Sequence, residues 1–372
     1  MARASSGGKG GGGREEVLKE TIELIRSRFG DGSIMRLGDR PVLEVEVIPT
    51  GILPLDVALG VGGLPRGRMV EIFGPEGSGK TTIALHAVLE AQRMGGVAAF
   101  IDAEHALNAS LVRAIGIDPD SFYVSQPDSG EQALSILDAL VRSGAVDVVV
   151  VDSVAALTPQ AEIEGKMGES QVGLQARLMS YALRRLTSSI SRSRAVVIFI
   201  NQLRAQIGGA SFYGAVQETT PGGRALKFYS SVRIEVKRGQ AVARGEEKVG
   251  HELLMRVVKN KVAPPFKKAR ATLLYGLGVP RELSILEMAI DLKLVSKKGS
   301  WLYYRGEALG QGKEKAYLYL RERKDLAEEM AREALERARE VSYFDDVAPS
   351  PVEASLEEGE APEPEIELEE EI

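Results

Sequence analysis

The stretch from Gly74 to Thr81, which reads GPEGSGKT, constrains this chain more than any other segment. It matches the pattern G-x-x-x-x-G-K-[ST] completely, follows an apolar run at 69–73 and opens a helical pattern at 80–94. A glycine-rich turn between a strand and a helix lets backbone N–H groups converge on phosphate oxygens. The sequence therefore predicts a nucleotide site built from Gly74, Pro75, Glu76, Gly77, Ser78, Gly79, Lys80, Thr81 and Thr82.

Specific side chains supply the charge and the metal ligands of such a site. The Lys80 ammonium neutralises the β and γ phosphates, and the Thr81 hydroxyl is a ligand of Mg²⁺. The valine run at 148–151 ends in Asp152. An Asp in that position is often only a cap or turn residue, but next to this phosphate loop it holds the magnesium shell. The predicted ligands are therefore ATP and Mg²⁺, with Thr81 and Asp152 on the metal side.

The pattern of strands and helices predicts the fold class. Between residues 41 and 280, short apolar runs alternate with helical patterns, which is typical of a mainly parallel α/β sheet. After about residue 227, strand-like segments follow one another and predict added, partly antiparallel strands. Residues 281–344 predict a small C-terminal α/β domain that includes a charged helix at 321–340. The expected fold is thus an α/β P-loop NTPase core with a smaller domain behind it.

The amino-terminal segment, 1–40, precedes this core. Residues 5–13 are rich in Gly and Ser and are expected to be irregular. Residues 14–29 carry apolar side chains at helical spacing, and Gly30 supplies a stop. The apolar stripe of this helix can pack on its own core or on a neighbouring subunit.

The carboxy-terminal tail, 345–372, is strongly acidic. Residues 353–372 contain ten Glu and no basic residue, so residues 1–352 carry 47 basic against 43 acidic side chains and a net charge of +4. The tail cannot bury enough apolar area to fold and is expected to be disordered. It either regulates polyanion binding or only keeps the chain in solution.

Composition excludes several classes of protein. The chain of 372 residues has no Cys, which removes disulfides, thiolate zinc sites and thiol nucleophiles, and its three His are too scattered to suggest a metal centre. It has no apolar run of about 18 residues and no secretory signal at its start. We therefore expect a cytoplasmic protein without a membrane span.

Polar side chains follow two more of the predicted strands. The run at 97–101 leads into Glu104, and a carboxylate at the end of a strand can activate the attacking water. The alternative is that this segment only caps the next helix. The strand at 196–200 leads into Gln202, where a neutral amide can contact a γ-phosphate without competing for Mg²⁺.

The segment at 203–222 is a candidate DNA-binding loop. It has little periodicity and many small residues, and a loop of about 20 residues in a compact domain is usually functional or disordered. It contains Arg204 and the pair Phe212–Tyr213, and Arg224 follows it. Cations and aromatic rings suit single-stranded nucleic acid. A β-hairpin with packed aromatic side chains is the alternative.

A second glycine-bearing segment precedes this loop. It contains Lys166 and Met167 and leads into a helix that carries Arg177 and Arg184. These side chains either form a second DNA-facing element or are simply solvated.

These pieces, in this order, resemble the bacterial RecA recombinase family over roughly residues 14–340. The further matching stretches are IDAEHAL at 101–107, SQPDSGEQAL at 125–134, SGAVDVVVVDSVAALTP at 143–159, FINQLR at 199–204, ETTPGGRALKFY at 218–229 and VVKNKVAPPF at 257–266. The resemblance implies a DNA-dependent ATPase that forms an ATP-bound filament on single-stranded DNA, pairs it with homologous double-stranded DNA and exchanges strands. It also implies stimulation of repressor self-cleavage in the SOS response to DNA damage.

The resemblance also implies roles for individual residues. Glu104 activates water, and Gln202 couples ATP to the loops at 164–173 and 203–222. Lys259 and Lys261 look like the pair that reaches ATP across the subunit boundary. Phe228 resembles a residue needed for polymerisation, and the helix at 14–29 would pack on the adjacent protomer. Tyr275 resembles a residue near the adenine.

One departure concerns the base, because Leu111 stands where the family usually has an aromatic residue that stacks on adenine. The resemblance further implies that the domain at 281–340 helps to capture duplex DNA and that the acidic tail competes for its basic surface. Other readings of the motifs are a hexameric ring helicase of the same core fold, an ATP-loaded scaffold that promotes repressor cleavage, and a small-molecule kinase.

Overall fold

The computed structural model describes residues 11–30, 33–34, 36, 45–165, 173–205 and 218–340. The chain divides into two compact units, residues 1–45 and residues 46–372. The predicted acidic tail, 345–372, lies outside the described residues.

The first unit contains helix α1, which runs from Gly11 to Phe29. It ends where Gly30 adopts a left-handed conformation with φ of +94°. The expectation of an irregular segment at 5–13 is wrong for its last three residues, because helix propagation adds one hydrogen bond per residue and extends into the glycines. On α1, Leu18 and Phe29 are exposed, so the predicted apolar stripe is accessible.

The second unit begins with the nucleotide-binding core. Its helices and strands have the following bounds: β1 Val47–Ile48, α2 Leu53–Ala58, β2 Leu64–Pro65, β3 Met69–Gly74, α3 Lys80–Arg93, β4 Ala98–Asp102, α4 Ala109–Ile115, β5 Phe122–Ser125, α5 Gly130–Ser143, β6 Val148–Asp152, α6 Gln160–Glu164, α7 Leu174–Ser193, β7 Val196–Gln202, β8 Arg204–Ala205, β9 Glu218–Thr219, α8 Ala225–Tyr229, β10 Val232–Arg244, β11 Glu247–Asn260 and β12 Lys268–Leu274.

Eight of these strands form one sheet in the order β12-β11-β10-β3-β7-β6-β4-β5. The six strands from β10 to β5 are parallel, whereas β11 and β12 are antiparallel additions at one side. This confirms the predicted α/β class with a mainly parallel sheet. The strands β10 and β11 are longer than predicted, because they continue as a polar two-stranded ribbon up to the turn at Gly245.

Both faces of the sheet are covered, which explains why its central strands are mostly apolar. One face packs its buried side chains against α2, α3 and α4. The opposite face packs against α5, α7 and α8. The site described below lies at the edge where the parallel strands end.

The small unit after the core contains a three-stranded antiparallel sheet and three helices. Their bounds are α9 Arg281–Asp291, β13 Val295–Lys298, β14 Trp301–Tyr304, β15 Glu307–Gln311, α10 Gly312–Glu322 and α11 Lys324–Glu340. The prediction of one helix at 321–340 is wrong at its start, because the chain leaves helical geometry at Arg323. The break allows Leu320 and Leu326 to be buried in one core.

No helix in the described parts of the chain is both long enough and apolar enough to cross a membrane.

Helix α2 carries a buried carboxylate that makes the stability of the fold depend on pH. Asp56 Oδ1 accepts hydrogen bonds from the backbone N–H and the hydroxyl of Thr50, both at 2.7 Å. Burial, opposed by these bonds and reinforced by the charge of Glu90, raises the pKa of Asp56 from 3.8 to about 7. The folded state therefore binds this proton more tightly than the unfolded state does. The resulting contribution to the free energy of unfolding is fully present below about pH 3.8 and is lost as the pH rises through about 7.

We expect Asp56→Asn to remove this dependence, because Asn keeps the acceptor oxygen without the charge. Between pH 5 and pH 8 the free energy of unfolding of the wild type should fall relative to that of the variant by roughly 2–3 kcal/mol. Urea unfolding at several pH values measures the difference. Buried His86, whose pKa is lowered to about 4, is present in both chains and cancels. Two parallel stability curves would contradict the assignment.

Candidate nucleotide and DNA site

The register of the sheet brings four sequence-predicted segments to one edge. Gly74 at the end of β3 is paired with Gln202 of β7, and Asp102 at the end of β4 is paired with Asp152 of β6. Since these strands are parallel, the segments that follow them leave the sheet at the same edge. The phosphate loop, Asp152, Glu104 and Gln202 are therefore neighbours, although they are up to 128 positions apart in the numbering.

The phosphate loop has the backbone that its glycines predict. Gly79 has φ of +94°, and a Cβ atom there would lie only 2.7 Å from Leu253 and 2.9 Å from Leu273. Helix α3 begins at the next residue. The Lys80 ammonium donates a hydrogen bond to the Pro75 carbonyl at 2.6 Å, so it lies inside the loop. Burial lowers the pKa of Lys80, and the carboxylates of Asp152, Glu104 and Glu76 oppose this shift.

The two predicted metal ligands are in direct contact. Thr81 Oγ1 donates a hydrogen bond to Asp152 Oδ2 at 2.7 Å. Burial raises the pKa of Asp152 to about 6, with the hydrogen bond from Thr81 acting in the opposite direction. Among the described residues, no group of three or more acidic or His side chains is arranged to hold a metal ion, so the protein here offers a hydroxyl and one carboxylate. That donor set fits Mg²⁺, which is usually held by one or two carboxylates together with phosphates and waters.

Glu104 is held by two side chains. Its Oε1 accepts a hydrogen bond from Gln202 Nε2 at 3.0 Å and another from the hydroxyl of Ser153. The contact joins the predicted base to the predicted γ-phosphate sensor. Sequence reasoning missed Ser153, although its place directly after the carboxylate Asp152 was a usable signal.

Asp102 does not cap the next helix, because that role belongs to Asn108 at the start of α4. Asp102 is buried and accepts hydrogen bonds from the backbone N–H groups of Ala106 and Leu107 at 3.1 and 3.2 Å and from Gln126 Nε2 at 3.0 Å. Asp102 therefore holds the turn after β4. Glu104 is exposed, and both of its side-chain hydrogen bonds are to Oε1, so its Oε2 can face a substrate.

Lys259 and Lys261 are not brought to the phosphate loop of their own chain. Lys259 is paired with Arg233, which is paired with Glu71, three residues before the loop. Lys261 is bonded through its backbone to Ser231, beside the start of β3. Both lysines therefore lie toward the opposite edge of the sheet from the phosphate loop.

Two positions are expected near the adenine, Tyr275 and Leu111, and they lie in different surroundings. Tyr275 directly follows β12, whose Leu273 lies against the phosphate loop at Gly79. Its hydroxyl accepts a hydrogen bond from Arg238 at 2.6 Å, and its ring is 46% exposed. Leu111 packs partly on the core cluster beneath α4.

Comparison with known proteins agrees with this arrangement. The family model for the RecA N-terminal domain matches residues 16–280, and the model for the RecA C-terminal domain matches residues 283–339. The chain belongs to the RecA family.

Individual RecA proteins are similar over nearly their full length. The chain is 56% identical to Protein RecA of Salinispora tropica over 87% of this chain and 92% of the relative. It is 55% identical to that of Mycobacteroides abscessus over 91% and 98%, and 54% identical to that of Mycolicibacterium smegmatis over 91% and 97%. The predicted function is thereby confirmed: the chain is an ATP-using, DNA-dependent ATPase and a recombinase of DNA repair.

The residues that the sequence predicts to contact DNA are only partly described. Arg177, Arg184 and Arg224 are exposed, and no ion pair to them is seen among the described residues. The backbone of Arg204 pairs with that of Thr219, so the two ends of the long loop form a short antiparallel ladder. Four further candidates lie outside the described residues: Lys166, Met167, Phe212 and Tyr213.

Proposed function

We propose that this RecA chain binds ATP with Mg²⁺ at the edge of the sheet, grips single-stranded DNA with the loops at 164–173 and 203–222, and assembles into a filament that pairs the strand with homologous duplex. The observation that carries the proposal is the contact between Glu104 and Gln202 at 3.0 Å. Gln202 directly precedes the second loop, so one amide adjoins both the hydrolytic carboxylate and the DNA-facing segment.

The side chains have distinct tasks in this scheme. Lys80 neutralises phosphate charge, Thr81 and Asp152 hold Mg²⁺, which polarises the phosphates when bound, and Glu104 accepts a proton from the attacking water. Ser153 and Gln202 orient Glu104. Arg177, Arg184, Arg204 and Arg224 neutralise DNA phosphates. Tyr275 lies against the base.

Assembly would complete the site. Lys259 and Lys261 lie away from the phosphate loop of their own chain and would reach the nucleotide of a neighbouring protomer. Phe228, which is 69% exposed, and the apolar side chains of α1 are accessible for contact between protomers. The assembled, ATP-bound form would also bind double-stranded DNA and a self-cleaving repressor.

We expect ATP turnover to depend on single-stranded DNA, because Glu104 and the loop share Gln202. Adding an oligonucleotide long enough for several protomers should raise turnover by about tenfold or more, comparable to the roughly 5–150-fold by which two coupled sites usually change each other's affinity. Phosphate release with and without DNA measures it, and free mononucleotides are the control. Equal turnover in both conditions would count against the proposal.

A further inference from the structure

A buried ion pair lies next to this site without belonging to it. Glu71 of β3 is fully buried, and its carboxylate forms a hydrogen-bonded ion pair with Arg233 of the neighbouring strand β10. The Arg233 guanidinium also lies over the ring of Phe73, 4.3 Å from its centroid. Burying two charges is costly, and well-packed apolar side chains often replace such a pair without loss of stability. The pair is therefore poorly explained by stability alone.

Asn201 connects this pair to the long loop. Its side chain is fully buried, and Nδ2 donates hydrogen bonds to Glu71 Oε1 at 3.1 Å and to the Pro221 carbonyl at 3.2 Å. Its Oδ1 accepts a hydrogen bond from the backbone N–H of Gln202 at 3.0 Å. One amide thus joins the strand that leads to the phosphate loop, the sensor position and the point where the chain returns from the loop.

The returning segment is held at a second point by another strand of the sheet, β11. Lys259, which is paired with Arg233 across the sheet, donates hydrogen bonds to the carbonyls of Lys227 and Phe228 at 2.5 and 3.1 Å. The stretch from 221 to 228 is therefore fixed to the sheet at both ends. A shift of Gln202 relative to β3 can reach this stretch through Asn201.

We propose that Asn201 is a positioning residue that Glu71 orients, and that their hydrogen bond transmits the nucleotide state at Gln202 to the base of the DNA-binding loop. The inference rests on the proposed function and adds the route of the coupling. Arg233 and Phe73 serve to fix the Glu71 carboxylate. The group that matters is the acceptor oxygen at position 71, not its charge.

Two double variants separate these roles. Glu71→Gln with Arg233→Met removes both charges but leaves an acceptor oxygen for Asn201. Glu71→Leu with Arg233→Met removes both charges and the acceptor. Neither variant leaves an unpaired buried charge, each leaves one buried amide N–H without an acceptor, and the side chains have similar volumes, so urea unfolding should show similar stability. The measured quantity is the ratio of single-stranded DNA affinities with and without a slowly hydrolysed ATP analogue, taken from fluorescence anisotropy.

We expect Glu71→Gln/Arg233→Met, the Gln/Met variant, to keep this ratio within about twofold of the wild-type value. Glu71→Leu/Arg233→Met, the Leu/Met variant, should lower the ratio by about tenfold or more. In the absence of DNA, the affinity of the Leu/Met variant for a fluorescent ATP analogue should be unchanged. Equal ratios in the two variants, whether both kept or both lost, would overturn the assignment of the acceptor oxygen.

Asn201→Ala provides an independent check, because it leaves the ion pair intact and removes only the amide. It should lower the ratio as far as the Leu/Met variant does, and a ratio like that of wild type would overturn the inference. If the nucleotide does not change the DNA affinity of the wild type, the proposed function itself is contradicted, whatever the variants show. The two failures are thus distinguishable.

Discussion

Replacing Glu104 by Gln is expected to slow ATP hydrolysis by about 10²–10⁴-fold, the usual contribution of a general base. The amide has nearly the same shape and can still accept hydrogen bonds from Ser153 and Gln202, but it cannot take a proton from water. Binding of ATP and of single-stranded DNA should therefore persist. Single-turnover hydrolysis with DNA bound, together with equilibrium affinities for both ligands, measures the separation.

Ser153→Ala is the matched control for this result. It removes one of the two hydrogen bonds to Glu104 and leaves the carboxylate in place. Its turnover should lie between those of the wild type and Glu104→Gln. Hydrolysis by Glu104→Gln at the wild-type rate would exclude Glu104 as the base and would direct attention to another group at the same edge of the sheet.

Replacing Lys80 by Ala is expected to lower turnover by at least about 10²–10³-fold, as for the loss of a preorganised group that stabilises developing charge. The ammonium lies within the phosphate loop, bonded to the Pro75 carbonyl. Unlike the change at Glu104, this change should also weaken ATP binding and, through it, nucleotide-dependent DNA binding. Phosphate release and binding of a fluorescent ATP analogue measure the two effects.

Lys80→Met distinguishes charge from packing, because it keeps most of the apolar stem. It should match Lys80→Ala in turnover. Since Lys80 is buried and the Met side chain keeps the stem, Lys80→Met should be at least as stable toward urea as Lys80→Ala. A Met variant with wild-type turnover would remove the assignment of the phosphate loop.

The parts predicted from the sequence are those with strong local signals. The turn at 74–81 and the valine run before Asp152 identify the strand ends, and parallel strands must place those ends at one edge. Contacts between distant residues carry no such signal. Ser153 on Glu104 and Asn201 on Glu71 depend on side-chain directions that only the register of β3, β4, β6 and β7 determines.

The break between α10 and α11 was missed for a different reason. The sequence around Arg323 contains neither Pro nor Gly, and its charged residues other than Asp325 favour a continuous helix. Burial of Leu320 and Leu326 in the same core outweighs that local preference. Propensity is a weak guide wherever packing decides where a helix ends.

The separation of the phosphate loop from Lys259 and Lys261 has a geometric consequence for assembly. If each site takes its lysines from the next chain, the two contacting surfaces of a protomer are different, and copies must join head to tail. A heterologous contact of this kind builds a ring or an open helix. In the open helix one terminal subunit holds a nucleotide without borrowed lysines, so the two tips are chemically unequal and growth or loss of subunits has an intrinsic direction.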